Sequence, residues 1–148
     1  MEIVTLKIKR LEYAKDLPMP KYMTEGSSGM DLYAAVSEQE IIESGKIKLI
    51  PVGITIILPP GYEAQIRPRS GLAVKWGITV INSPGTIDSD YRGELKVALV
   101  NLGDYAFKIN RGDRIAQMMV QKCPQVELLE IDNVPTSDRN EGGFGHTG

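Results

Sequence analysis

The stretch "KIKLIPVGITIIL", residues 46–58, decides the fold class. It is a β-branched run, and it reads as buried strand rather than helix. "GITVIN" (77–82) reads the same way, while "VTLKIKR" (4–10), "AQIRPR" (64–69), "ELKVALV" (94–100) and "FKIN" (107–110) alternate apolar and polar residues. Turn signals separate these runs: "GSSG", "ESG", "PPG", "NSPG" and "INRGD". Short strands at this spacing predict an all-β, jelly-roll-like barrel or sandwich. One short helix is expected at "SGLAVKWG" (70–77), opened by a serine cap and stopped by glycine. Residues 1–135 form the expected core and residues 136–148 a flexible, glycine-rich C-terminal arm. Just before the arm, "VELLEI" (126–131) reads as a strand that pairs with a neighbouring subunit and carries the arm across to it.

Composition narrows the partners. The 148 residues suit one domain with its own core. Seventeen Lys and Arg are scattered among 19 acids, for a net charge of −2, which argues against a nucleic-acid polymer. A small anion needs only a few local cations and N–H groups. The single cysteine, Cys123, excludes an intrachain disulfide and fits a reducing cytosol; it reads as structural. With one histidine as well, a zinc site of the usual His/Cys type is nearly excluded. "MEIVTLKIKR" lacks a secretory apolar region and no run reaches membrane-span length, so a cytoplasmic protein without membrane contact is expected.

Five stretches carry residue types beyond what turns require. In "SSGMDLYAA" (27–35), Asp31 reads either as a turn-capping carboxylate or as one that holds a hard cation through water. In "RPRSGLA" (67–73), Arg69, Ser70 and the Gly71 N–H read either as a plain helix start or as donors to phosphate. "INSPGTIDSDYRGEL" (81–95) places Asn82, Pro84 and Gly85 at a tight turn expected to close a hairpin. Beyond it, Asp88 and Asp90 are expected to face the same way on an extended chain, with Tyr91 and Arg92 following. The pair reads as a solvated turn or as the setting of a general base, Asp88. In "RGDRIAQMMVQ" (111–121), Arg114 and Gln117 flank an apolar strand, and a buried Gln117 amide needs partners from the fold or from a ligand. The arm "RNEGGFGHTG" (139–148) is either a frayed end or a lid whose Arg139 and glycine N–H groups take phosphate while Phe144 offers a stacking face.

Taken in this order, "SSGMDL", "PRSGLA", "GTIDSDYRGE", "RIAQ" and "RNEGGFGHTG" resemble the five motifs of the homotrimeric dUTPase family, across nearly the whole chain. The resemblance implies a jelly-roll homotrimer with sites at subunit interfaces and an arm that closes over the nucleotide of another subunit. It implies hydrolysis of dUTP to dUMP and diphosphate, limiting uracil in DNA and supplying dUMP for dTMP synthesis. Asp88 would be the base and Asp31 would orient water around Mg²⁺ (magnesium) on the triphosphate. Asn82, Gly85 and the hairpin backbone would read uracil, with Tyr91 beneath the deoxyribose. Arg69, Ser70, Gly71 and Gln117 would contact phosphates, with Arg139, Gly145, His146 and Thr147 closing from the arm and Phe144 stacking on the base. His146 stands where many members have serine. The alternatives are a dCTP deaminase of the same fold, alone or bifunctional, and a dUTP-sensing module without turnover; the complete third motif and the arm favour the hydrolase.

Overall fold

The computed structural model describes all 148 residues. Six strands precede the helix: β1 (Lys7–Arg10), β2 (Met30–Tyr33), β3 (Glu40–Ile42), β4 (Ile47–Pro51), β5 (Ile54–Ile57) and β6 (Tyr62–Arg67). After α1 (Ser70–Trp76) come β7 (Ile78–Val80), β8 (Gly85–Ile87), β9 (Lys96–Asn101), β10 (Phe107–Ile109) and β11 (Arg114–Lys122). The fold is all-β and jelly-roll-like with one short helix. The stretch at 46–58 makes two strands, β4 and β5, not one. Gly53 turns between them with φ +70°, so tightly against Ala14 and Ala35 that no side chain fits.

The strands pair antiparallel in the orders β1–β5, β3–β10, β4–β9–β7 and β2–β11–β6–β8. Alternate residues from these ladders meet in one core that includes Leu32, Ile50, Ile56, Ile66, Leu99, Ile115 and Met118. Each such side chain contributes roughly 1.5–3 kcal/mol by leaving water, which is how short strands hold without a large helix.

Two local expectations need correction. Ser70 does not cap α1: the N-cap is Arg69, which makes no side-chain capping bond, and Ser70 is the first helical residue. The glycine stop is as expected, with Gly77 left-handed at φ 69°. The turn after β7 does not close a hairpin ladder. Strand β7 pairs with β9 while β8 pairs with β6, so residues 81–84, with a cis Ser83–Pro84 bond, carry the chain from one sheet to the other. The pairing expected of residues 126–131 is with a neighbouring subunit, and within the chain they form no strand. The last backbone bond to the barrel is from Cys123 N–H to the Gly61 carbonyl, at 2.8 Å. Beyond it Val126, Leu128 and Leu129 are exposed.

Candidate functional site

Register builds the first part of the site. Gln117 on β11 stands opposite Asp31 on β2 and opposite Arg67 on β6. Directly opposed residues share a sheet face, so these three form one row across the sheet. Met30, Met118 and Ile66, one step along, face the core. Arg114 lies three residues from Gln117 and by strict alternation would point inward. A β-bulge between Arg114 and Ala116 inserts Ile115, buries Ile115 and Ala116 together, and turns Arg114 out to the Gln117 face.

These side chains line a cavity of about 580 Å³ together with Ser27, Ser28, Gly29, Arg69, Ser70 and Gly71. Its three arginines outweigh its one carboxylate, so it favours an anion. Asp31 is nearly buried and paired twice, Oδ1 with Arg69 Nε and Oδ2 with Arg114 Nη1, each at 3.3 Å. Arg69 Nη1 also donates to the Arg114 carbonyl at 3.2 Å. The Gln117 amide is met by the fold: Nε2 donates to the Pro68 carbonyl at 3.1 Å. Its Oε1 lies so close to Gly29 that a Cβ there would stand 2.8 Å away.

Asn82, Gly85, Asp88 and Tyr91 line a different cavity of about 350 Å³, together with Val80, Thr86, Ile87 and Glu94. Strands β7 and β8 are each the last in their sheets, so each brings one unpaired edge to this cavity. The N–H and C=O groups of such an edge are free to meet a polar ring. A hairpin ladder would have consumed them. Asp88 and Asp90 do not share a face. The chain turns after β8, with Tyr91 N–H bonded to the Asp88 carbonyl at 3.1 Å. Asp88 therefore joins the cavity, while Asp90 lies in a separate depression with Lys7, Pro59 and Arg92.

The two cavities have no lining residue in common, and the arm lines neither. Arg139 Nε donates to the Gly142 carbonyl at 2.5 Å, and the arm's backbone bonds run among its own residues, such as His146 N–H to Gly143 at 3.1 Å. Phe144 is fully exposed at φ 51°, with Gly145 following at φ 88°. The dUTPase family model matches residues 15–148. The chain belongs to the dUTPase family.

Relatives within the dUTPase family extend the match in sequence and in shape. The deoxyuridine 5'-triphosphate nucleotidohydrolase of Thermoanaerobacter sp. (strain X514) is 59% identical over 145 residues, covering 98% of each chain. A Staphylococcus bacteriophage 80alpha dUTPase with dUPNHPP superposes at a TM-score of 0.86, with 26% identity, covering 97% of this chain and 98% of that one. A mutant dUTPase from phage phi11 of S. aureus, similar in fold at a TM-score of 0.77 and 22% identity, coordinates a structural Mg(II) ion; the match covers 87% of this chain and 97% of that one.

Sequence reasoning named the expected residues but missed partners that hold them. Arg67 joins the anion cavity, as does Arg114, which the sequence singled out beside Gln117 without a role, and Glu94 joins the Asp88 cavity. The signal for Arg67 was present, since Arg67 and Arg69 are two apart on an extended segment and so share a face. Nothing local announces the bulge that turns Arg114.

Proposed function

We propose that the chain is a dUTP diphosphatase that hydrolyses dUTP to dUMP and diphosphate at a site completed between copies of a homotrimer. The observation that carries this reading is the division of the motif residues. Asp88, Asn82, Gly85 and Tyr91 line one cavity, whereas Asp31, Arg69, Ser70, Gly71 and Gln117 line another. A nucleotide with its base in the first and its phosphates in the second takes the two cavities from different copies. The exposed segment 126–131 then finds a strand edge on a neighbour and delivers the arm, so that Phe144 covers the base while Arg139, Gly145, His146 and Thr147 close on the phosphates.

In the reaction, Asp88 accepts a proton from water as its oxygen attacks the α-phosphorus. The bond from that phosphorus to the bridging oxygen breaks and diphosphate leaves. Such transition states are loose, so positioning and charge neutralisation outweigh nucleophile strength. General-base help supplies roughly 10²–10⁴-fold, and Arg69, Arg114 and the Ser70–Gly71 donors stabilise the charge on the departing group.

The residues fit a metal carried by the substrate rather than a protein cage. No group of three or more His, Cys, Asp or Glu exists to hold an ion. Asp31 is the one carboxylate in the anion cavity, which suits Mg²⁺, an ion that keeps its waters and takes one or two carboxylates plus phosphate oxygens. Bound there, Mg²⁺ supplies charge neutralisation at the triphosphate. A triphosphate would offer Arg69 and Arg114 a new partner, and Asp31 would then be the carboxylate able to hold a hydrated Mg²⁺ on the phosphates.

Selectivity follows from the open strand edges. Backbone donors and acceptors on β7 and β8, with Asn82, match uracil; cytosine sets donor against donor, a mismatch worth about 10⁴-fold where a site is built for hydrogen bonds. Tyr91 crowds the 2'-hydroxyl of a ribonucleotide. The test is diphosphate release from dUTP, dCTP, dTTP and UTP with Mg²⁺. Turnover of dUTP alone is expected; ammonia released from dCTP would make the chain a deaminase. Such a hydrolysis would keep uracil out of DNA and supply dUMP for dTMP synthesis. No helix is long and apolar enough to cross a membrane.

A further inference from the structure

The orientation of Tyr91 is fixed by residues that follow it. Its ring lies over Gly93, where an added Cβ would stand 2.6 Å from Tyr91 Cζ, so a side chain there would displace the ring. Its Oη donates to the Glu94 carbonyl oxygen at 2.9 Å. The Glu94 carboxylate reaches to a different part of the chain. Glu94 Oε1 accepts the Gly53 N–H at 3.2 Å and also the Tyr13 hydroxyl. Backbone bonds tie the same segment to the β4–β5 turn: Leu95 N–H to the Ile54 carbonyl at 2.8 Å and Val52 N–H to the Leu95 carbonyl at 3.1 Å.

Tyr13 is itself held. It sits in a short 3₁₀ turn, Glu12–Ala14. Arg111 Nη2 donates to the Tyr13 carbonyl at 2.5 Å, and the same guanidinium grips Asp16 through Nε at 3.1 Å and Nη2 at 2.7 Å. Partial burial, and then the bond to Glu94, push the Tyr13 phenol up to about 12. The hydroxyl therefore stays a donor across the physiological range. A chain of contacts thus runs from Asp16 through Arg111 to the Tyr13 backbone, from the Tyr13 hydroxyl to the Glu94 carboxylate, and from the Glu94 backbone carbonyl to the Tyr91 hydroxyl.

We infer that Glu94, with Tyr13 behind it, is a positioning pair that sets the tilt of the Tyr91 ring and so determines how strictly the enzyme separates deoxyribose from ribose. The inference rests on the reading of Tyr91 as the sugar platform. Neither residue touches substrate in this role. Exclusion of a 2'-hydroxyl works by contact, and contact excludes only as firmly as the excluding ring is held. A ring free to tilt admits the extra oxygen while still accepting dUTP, so a loosened brace raises activity on UTP relative to dUTP.

The experiment measures kcat/KM for dUTP and UTP on the full-length protein and on Tyr13→Phe, Glu94→Ala and Glu94→Gln, with Tm recorded for each. Tyr13→Phe removes one donor and should lower the dUTP/UTP ratio about two- to tenfold, the span of one net hydrogen bond. Glu94→Ala, which removes the acceptor of two bonds, should lower it further. Glu94→Gln keeps an amide oxygen as acceptor and should hold the ratio within about twofold of the parent, well inside one net hydrogen bond. An unchanged ratio in Tyr13→Phe overturns the inference, even if Tm falls, because a merely structural brace would not move selectivity. If Glu94→Ala does not fold, Tyr13→Phe alone decides. Should the parent enzyme itself fail to prefer dUTP over UTP, the reading of Tyr91 falls first and the brace with it. A parent that discriminates, matched by a Tyr13→Phe that discriminates equally, removes the brace alone.

Discussion

The two cavities are held open by different forces. The anion cavity is a charged surface at rest: Asp31 sits between Arg69 and Arg114, and the row Asp31–Gln117–Arg67 is fixed by strand register. The Asp88 cavity has no ion pair of its own. It lies where two sheet edges part, and the turn carrying Asp88 and Tyr91 is tied to the β4–β5 turn through Glu94. In the proposed reading, electrostatics prepares one half for phosphate, and backbone geometry prepares the other for a planar base and a sugar. On that reading neither half makes a hydrolase alone, and the proposed base and anion donors sit on separate elements.

Removing the base should break the pair most severely. Asp88→Asn should lower kcat by about 10²–10⁴-fold, while dUTP binding measured by calorimetry stays within about tenfold, since the carboxylate acts mainly in the transition state. Retained turnover would reassign the base. The anion half is probed by chelation: EDTA should cut diphosphate release by roughly 10²-fold, the order expected for several kcal/mol of charge neutralisation, and Mg²⁺ should restore it. Full activity in EDTA would remove Asp31 from its metal role.

The proposed task of the arm is to cover the base half. Phe144→Ala should lower kcat/KM about five- to hundredfold, matching ~1–3 kcal/mol for stacking on a base, with the sedimentation coefficient unchanged. Equal kinetics would leave the arm without a part in closure. The smallest effect concerns the brace. Because the folded Tyr13 titrates near 12 against an ordinary 10.0, the native state holds a proton that the unfolded chain loses between these values. Stability should therefore fall as pH rises from about 10 to about 12, and Tyr13→Phe should lack that part of the decline. Parallel denaturation curves for the two proteins would show that Tyr13 is not shielded.

Alternation made most of the barrel readable, and the order of five motif segments made the family readable before any coordinates. What stayed hidden was long-range or depended on counting. Strands β7 and β8 look like two arms of a hairpin because a Pro–Gly turn joins them, yet which sheet each enters is decided by β9 and β6. The bulge at Ile115 turns Arg114 outward by one inserted residue, and "RIAQ" reads equally well without it. Glu94 ends a motif whose earlier residues draw the eye, while its partner Tyr13 lies 81 positions away in a segment with no chemical signature. Segment 126–131 shows the reverse case: its strand pattern is plain, but the partner edge it expects is not in the same chain.

The central claim, that one nucleotide takes its base cavity and its anion cavity from different copies, has a direct test by complementation. Asp88→Asn and Arg69→Ala, each purified alone, should both be nearly inactive. Co-expressed and co-purified as mixed assemblies, they should recover a substantial fraction of parental dUTP turnover, because some sites then draw an intact Asp88 from one copy and an intact Arg69 from another. Mixed assemblies, verified by mass spectrometry, that stay as inactive as either variant alone would place both groups in the same chain's site and contradict the account.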